Sequence, residues 1–292
     1  MSSRNNQQRL ANPGTSDVNS ETPTSNNNNQ LSFSVPTEFV ELPSKGLYYP
    51  EDHPLHGIET VEIKHMTAKE EDILASESLI RKGVAIDRML QSLLIDDNLK
   101  VNDLLVGDRN ALTVAARITG YGADYHTRVN CPACGEPQEF QFDLDERTTR
   151  GAAFSPDELE GKIEGVSFTK NGTFLVELPK SGHTVELKML TGKDEEKLEK
   201  FQKQKAKMSD GLNSILTDTL KSIVTSVSGV TERSQINNFV ENMPAVDSRY
   251  LRGVYQKLVP NIDMTQDFSC KKCHHTQALE VPVTTDFFWP GQ

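Results

Sequence analysis

The 292-residue sequence is poor in cysteine, has one tryptophan and contains no long apolar run. No stretch approaches the roughly 20 apolar residues that cross a bilayer, so we expect no membrane segment. The first residues lack the charged-then-apolar layout of a signal peptide, and we expect a soluble protein that is not secreted. The four cysteines form two Cys-x-x-Cys pairs, which favours metal ligation over a disulfide framework in an intracellular chain.

Positive charge is scarce as well. Lys and Arg number 31 against 42 Asp and Glu, a net charge of −11, which argues against binding a phosphate backbone as the main task. The sequence has no Walker A loop, GxGxxG fingerprint, GxSxG elbow or HExxH helix, so nothing in it predicts an enzyme. Hydrophobic residues make up 36% of the chain, enough for ordinary soluble cores, which excludes a wholly disordered protein.

Residues 1–34 are rich in Asn, Ser, Gln and Thr and hold almost no large apolar side chain before Leu31 and Phe33. Such a segment buries too little apolar surface to offset the entropy that it loses on ordering. We therefore predict a disordered N-terminal arm over residues 1–34. The alternative is a segment that orders on a partner.

A strand and a capped helix are predicted shortly after this arm. Residues 58–64 alternate apolar and polar side chains, as a half-buried strand does. Thr67 and Glu70 have the spacing of a capping box, which predicts the start of a helix. The carboxylates that open this helix are predicted to be solvated and to complement its dipole: Glu70, Glu71 and Asp72.

Further helices and hairpins follow along the chain. The spacing of apolar residues predicts helices near 86–94 and from about 108 to 118. Residues 124–142 have the pattern of a strand, a Cys-x-x-Cys turn and a second strand. Another hairpin is predicted where Asn171-Gly172 separates two short apolar strands.

The sequence also contains an internal repeat. Residues 61–74 align with residues 185–198 at an offset of 124, with seven identities in fourteen positions. The pairs Asp108/Asp247 and Cys131/Cys270 match at an offset of 139, so 15 residues are inserted in the second copy, in the helix around 193–207 or just after it. We predict an α+β fold of two related, internally duplicated modules, residues 35–150 and 151–292, each with strand, helices and a Cys-x-x-Cys hairpin.

The cysteines carry the sharpest chemical signal in the sequence. Two Cys-x-x-Cys turns match the layout of a structural zinc site, in which each turn supplies two thiolates. We predict one zinc ion held by Cys131, Cys134, Cys270 and Cys273. Such a closed site would contribute to folding rather than to catalysis.

Other states of these cysteines remain open: reduced structural thiols, disulfides or two incomplete sites. Thioredoxin-like redox chemistry fits poorly, because it needs a cysteine at a helix N-terminus and both pairs lie between predicted strands. His274 and His275 are predicted to be exposed turn residues, since four thiolates already complete a tetrahedron.

Two alternatives concern binding. Zinc-stabilised turns also occur in nucleic-acid binders, but residues 261–292 have two basic residues against four acidic ones and so lack a basic footprint. The segment Phe287-Phe288-Trp289-Pro290 is predicted to plug the core, and the alternative is an aromatic anchor for a partner.

Four motifs, taken in order, resemble the baseplate hub and hub-assembly subunits of T-even-type contractile-tailed bacteriophages. The resemblance covers about residues 36–145 and is echoed over about 160–290. The motifs are Leu42-Pro43-Ser44-Lys45-Gly46-Leu47-Tyr48-Tyr49-Pro50, Met66-Thr67-Ala68-Lys69-Glu70-Glu71-Asp72-Ile73-Leu74, Gly120-Tyr121-Gly122 ahead of a Cys-x-x-Cys hairpin, and the terminal Phe287-Phe288-Trp289-Pro290.

This resemblance implies a non-enzymatic structural or assembly component of the hub at the centre of a phage tail baseplate. Its expected partners are other phage tail and baseplate proteins, and the resemblance leaves open whether several copies form an oligomer within the baseplate. It would be made in the host cytoplasm and reside in the virion. The alternative function is a zinc-ribbon regulator that binds nucleic acid or polymerase, and an enzyme ranks third.

Overall fold

The computed structural model describes residues 34–150, 163, 165–169, 171–208, 214–283 and 287–289. The predicted arm over residues 1–34 therefore lies outside the described part of the chain, apart from Ser34. Residues Val35–Gln292 group into one compact unit by their contacts. The division of this unit into two modules at residue 150 stays a prediction.

The first half of this unit begins with two paired strands and continues with helices and a hairpin. Strands β1 and β2 pair antiparallel, and so do β3 and β4. Short 3-10 turns lie at Val101–Asp103 and Leu144–Glu146. The elements are β1 (Thr37–Glu41), β2 (Thr60–Lys64), α1 (Ala68–Ala75), α2 (Glu77–Lys82), α3 (Ala85–Leu93), α4 (Val106–Tyr121), β3 (Asp124–Asn130), β4 (Pro137–Asp143) and β5 (Thr148–Arg150).

The second half has a larger sheet, in which four antiparallel strands follow the order β6-β7-β8-β9. Strands β11 and β12 form another hairpin, and β10 pairs with β5 of the first half. The elements are β6 (Val166–Phe168), β7 (Phe174–Glu177), β8 (Thr184–Leu187), α5 (Gly192–Met208), α6 (Ile215–Ile223), β9 (Val224–Val227), α7 (Arg233–Asn242), α8 (Ala245–Leu258), β10 (Asn261–Asp263), β11 (Thr265–Ser269) and β12 (Thr276–Glu280).

The described residues thus hold eight helices and five small antiparallel sheets, a mixed architecture consistent with the expected α+β class. None of these helices is both long enough and apolar enough to span a bilayer. The predicted hairpin around Asn171-Gly172 is confirmed, because β6 and β7 pair on either side of it.

The start of α1 follows the predicted cap, but one of its carboxylates is not solvated. The Glu70 carboxylate accepts hydrogen bonds from the Thr67 N–H at 3.0 Å, the Thr67 hydroxyl at 2.6 Å and the Ser92 hydroxyl at 2.7 Å. Glu70 is only 4% exposed, so its prediction as a solvent-exposed residue is wrong. Glu71 and Asp72 are exposed as expected.

One hydrophobic cluster joins elements from both sequence halves, including Leu112 of α4, Leu251 of α8 and Val185 of β8. The C-terminal aromatic residues belong to it: Phe287 and Phe288 are fully buried, and Phe287 packs edge-on against Tyr125 of β3 at 5.2 Å between ring centroids. The expectation that this segment plugs the core is confirmed for Phe287 and Phe288, whereas Trp289 is half-buried and Pro290 lies outside the described residues. Its rings hold the strand that leads to the first pair of cysteines.

Candidate metal centre

Each pair of cysteines lies in the connection of a two-stranded hairpin. Cys131 and Cys134 follow β3, where Asn130 pairs with Pro137 of β4. Cys270 and Cys273 follow β11, where Ser269 pairs with Thr276 of β12. Both connections therefore have six residues and present their cysteines from the same positions.

The two turns share the same backbone hydrogen bonds. Cys131 N–H donates to Glu136 O at 2.9 Å and Gly135 N–H to Cys131 O at 2.8 Å, and the corresponding bonds in the second turn are Cys270 N–H to His275 O at 2.9 Å and His274 N–H to Cys270 O at 3.0 Å. Gly135 and His274 both have positive φ, at 70° and 55°. In each of the two turns, the backbone reverses sharply after the second cysteine. This reversal directs both thiols of a pair to the same side.

The four thiols converge between the two hairpins. Cys131 Sγ lies 3.7 Å from Cys273 Sγ and Cys134 Sγ lies 3.8 Å from Cys270 Sγ, and all four sulfurs are within 4.8 Å of one another. A tetrahedral metal with sulfur at about 2.3 Å needs sulfur–sulfur distances of about 3.8 Å. A disulfide needs about 2.05 Å, and all four cysteines are free. The four sulfurs are thus placed where they can hold one metal ion.

Burial and charge differ within the cluster. Cys131 and Cys270 are buried, whereas Cys134 and Cys273 are exposed. The N–H groups of Cys273 and Lys272 stabilise the Cys270 thiolate and lower its pKa to about 6. The His275 N–H acts in the same direction on Cys273, but partial desolvation of the thiol by its surroundings and the three neighbouring thiols outweigh it and raise the Cys273 pKa to about 12.

Side chains around the cluster join the two hairpins. The Gln138 amide oxygen accepts from Lys271 N–H at 3.0 Å, and Lys272 pairs with Glu136 across the turns. Below them, the rings of Phe140 and Phe268 lie 5.4 Å apart. Sequence reasoning missed these contacts, because the alternation of each strand predicts which face a residue occupies but not which hairpin lies opposite.

The neighbouring histidines stay outside the sulfur cluster. His274 is exposed as expected, while His275 is half-buried and its Nε2 lies 3.2 Å from the Gln277 amide oxygen. The prediction that His275 is exposed is therefore wrong in degree. Its backbone oxygen accepts from Cys270, which draws the residue into the base of the turn.

Two buried carboxylates form a second set of polar sites. Asp108 accepts hydrogen bonds from Ser44 N–H at 3.0 Å, the Ser44 hydroxyl at 2.6 Å and the Tyr49 hydroxyl at 2.8 Å. Asp247 accepts from the N–H groups of Lys180 and Ser181 at 2.8 and 3.0 Å. Burial raises the pKa of Asp108, although the bonds from Ser44 and Tyr49 act in the opposite direction. Both carboxylates hold a turn against the start of a long helix.

A short motif that occurs in both halves of the sequence indicates these two sites, although it was not included in the repeat alignment. Residues 41–46 read Glu-Leu-Pro-Ser-Lys-Gly and residues 177–182 read Glu-Leu-Pro-Lys-Ser-Gly. Each motif supplies the N–H donors for the aspartate of its own half. Asp108 and Asp247, which match in the repeat alignment, therefore make the same kind of packing contact in the two halves. Neither aspartate lies within the sulfur cluster.

Comparison with known families identifies the class of protein to which this chain belongs. The family described as T4 bacteriophage base plate protein matches residues 35–289. The chain belongs to this family, which confirms the resemblance to T4-type baseplate proteins. The family implies other phage tail proteins as partners and the tail baseplate of the virion as location. No curated protein and no solved structure matches the chain.

Proposed function

We propose that this chain is a structural or assembly component of the central hub of the tail baseplate, non-enzymatic and stabilised by one structural zinc ion. The observation that carries the proposal is the family match over residues 35–289. The motifs that resemble hub and hub-assembly subunits favour the hub over other parts of the baseplate. The chain is made in the host cytoplasm before it joins the tail.

The proposed zinc ligands are Cys131, Cys134, Cys270 and Cys273. Four sulfurs with the spacing of a thiolate tetrahedron suit Zn²⁺, which accepts sulfur ligands without a geometric preference of its own. Zinc bound there supplies folding free energy, since no position is left for water or substrate. The site joins residues that are 136 and 142 positions apart in sequence.

We also propose that the two halves are copies of one module. Helices α4 and α8 begin at positions 139 residues apart. The last paired residues of the two cysteine hairpins, Asn130 with Pro137 and Ser269 with Thr276, are also 139 residues apart. The 17-residue α5 takes the place of the 8-residue α1, in the region where the insertion was expected. The modules are residues 35–150 and 151–292, with the thiol cluster where they meet.

Elemental analysis tests the zinc site. Protein purified without a metal-affinity step should contain one zinc ion per chain, and Cys270→Ser should lose it. His274→Asn is the matched control, because Asn tolerates the positive φ of this turn and His274 is not in the cluster. A chain without zinc, or a Cys270→Ser variant that keeps half of it, would contradict one shared site.

Co-sedimentation tests the place in the tail. The tagged chain should sediment with tail baseplates from infected cells, and electron microscopy should locate the tag at the baseplate centre. A tag at the periphery would contradict the hub assignment. Salt-sensitive binding to DNA or RNA near physiological ionic strength, without association with tails, would favour the nucleic-acid-binding alternative.

A further inference from the structure

One side of strand β1 presents backbone groups to which no described strand binds. Leu42 N–H donates to Glu59 O at 2.8 Å and His65 N–H donates to Pro36 O at 2.9 Å, in line with the antiparallel register of β1 and β2. Backbone groups alternate sides along a strand. The even-numbered residues of β1 therefore face β2, and Thr37, Phe39 and Glu41 direct their N–H and C=O groups to the opposite edge.

The second half shows what occupies the corresponding edge there. Strand β7 ends in the Glu-Leu-Pro motif as β1 does, which aligns Thr37 with Thr173 and Glu41 with Glu177. Thr173 O accepts from Thr169 N–H at 2.8 Å and Glu177 N–H donates to Gly165 O at 3.1 Å. Gly165 and Thr169 flank β6 on either side, and β6 covers this edge of β7. Within the described residues, β1 lacks a counterpart of β6.

The uncovered edge carries an exposed aromatic ring, and most of the charged residues on its two strands are acidic. Phe39, at the centre of β1, is 66% exposed. The charged residues of β1 and β2 are three carboxylates and one lysine: Glu41, Glu62 and Lys64 on the face of Phe39, and Glu38 on the other face. An exposed edge with a large apolar side chain is a template for another strand, and its charge selects the partner.

We propose that the open edge of β1 docks an extended strand of a different protein, which adds antiparallel to β1 with an apolar residue beside Phe39 and Lys or Arg on either side. Backbone groups of Thr37, Phe39 and Glu41 supply the hydrogen bonds, as Thr173 and Glu177 do for β6. A second copy of this chain fits less well, because pairing of β1 with itself would bring the carboxylates of both copies together. This surface does not depend on the hub assignment.

A peptide with the sequence pattern of β6 tests this surface on the full-length chain. The probe is fluorescent Lys-Val-Val-Phe-Thr-Lys, in which valine replaces the serine that lies opposite Leu175, the counterpart of Phe39. Its binding is followed by fluorescence anisotropy. Phe39→Pro should weaken binding at least about tenfold, because proline removes an edge donor and leaves the ladder to β2 intact. Phe39→Val keeps that donor and should weaken binding less. Unchanged zinc content and melting temperature show that each variant is folded.

Charge and identity of the occupant are tested with the same assay. An Asp-flanked peptide and the Glu41→Gln variant should both give weaker binding than the Lys-flanked peptide with wild type, and added salt should reduce the difference. No saturable binding, or equal affinity of wild type and Phe39→Pro, would overturn the proposal. A wild-type dimer that Phe39→Pro dissociates would instead assign the edge to a second copy. Tenfold tighter binding after deletion of residues 1–33 would assign it to the chain's own N-terminal segment.

Discussion

Glu70 illustrates how a single carboxylate can be charged and yet buried. Its three hydrogen bonds with Thr67 and Ser92 outweigh the cost of burial and hold its pKa below the usual value. A lowered pKa means that the folded state binds the proton more weakly than the unfolded state. The stabilisation is therefore complete above about pH 4.3 and is lost as the pH falls through the lowered pKa.

We predict that Glu70→Gln lowers the free energy of unfolding by about 1–2 kcal/mol at pH 7. The difference from wild type should shrink at pH 3, where the wild-type carboxyl is protonated as well. Urea unfolding at both pH values measures this difference in the free energy of unfolding. Wild type and variant are compared at the same pH, so that effects common to both proteins, such as loss of metal, cancel. Asp72→Asn, at an exposed position of the same helix, is the control and should change little. A difference that grows in acid would contradict the assignment.

At the scale of elements, α4 owes its position to a residue without a side chain. A Cβ atom at Gly107 would overlap the carbonyl oxygen of Pro260 and lie 2.9 Å from its carbon, both in the segment that leads to β10. The first turn of α4 thus touches the backbone of the second half. Gly253 in α8 is the reverse case, because a Cβ there would have no heavy atom within 4 Å.

Opposite effects are therefore expected from the same substitution in two helices. Gly107→Ala should destabilise the chain by about 2–3 kcal/mol, because the backbones must separate. Gly253→Ala should stabilise it by about 0.5–1 kcal/mol, because alanine favours the helix. Thermal unfolding measures both. A stable Gly107→Ala variant would show that the α4 contact with Pro260 is not rigid.

Local sequence patterns predicted many elements but not how they meet. Period-two alternation located β2, and the capping spacing located the start of α1, because these signals are carried by neighbouring residues. The burial of Glu70 could not be predicted, since it depends on Ser92 in α3, 22 positions away. The pairing of β5 with β10 gave no signal either, because strands of three residues have too short a pattern.

The residues of the candidate metal centre were more predictable from the sequence than the contacts between elements of the fold. The repeated Cys-x-x-Cys spacing identified all four residues of the cluster that the structure brings together. Their convergence needed the fold, because spacing within one turn does not say whether a second turn lies beside it. Gln138 and Glu136, which join the turns, have ordinary polar patterns and could not be singled out.

At the scale of the whole molecule, one ion would connect the two halves of the chain. Cys131→Ser should lower the free energy of unfolding by about 4 kcal/mol or more, with one cooperative transition for both halves. Calorimetry measures this loss. Wild-type protein stripped of metal should melt near the variant, because both lack the same bond. A zinc-loaded variant that melts like wild type would argue against the shared site.

The N-terminal arm should contribute little to this stability. The hydrophobic cluster of the described residues begins at Val40 and includes no earlier residue. Deletion of residues 1–33 is therefore expected to leave the melting temperature and the zinc content unchanged. Calorimetry and elemental analysis of the shortened chain check this expectation. A large fall in melting temperature would overturn it.

The distance between the two cysteine pairs along the chain also has a consequence during synthesis. Cys270 is added to the growing chain 136 residues after Cys134, its neighbour in the cluster. At about 5–20 residues per second, the ribosome needs roughly 7–30 s for this stretch. During that interval the first hairpin holds two thiols without their partners from the second hairpin, which is half of the proposed metal site. Translation therefore sets the earliest moment at which the thiol cluster can close, and oxidation of Cys131 and Cys134 before that moment would produce a chain that cannot mature.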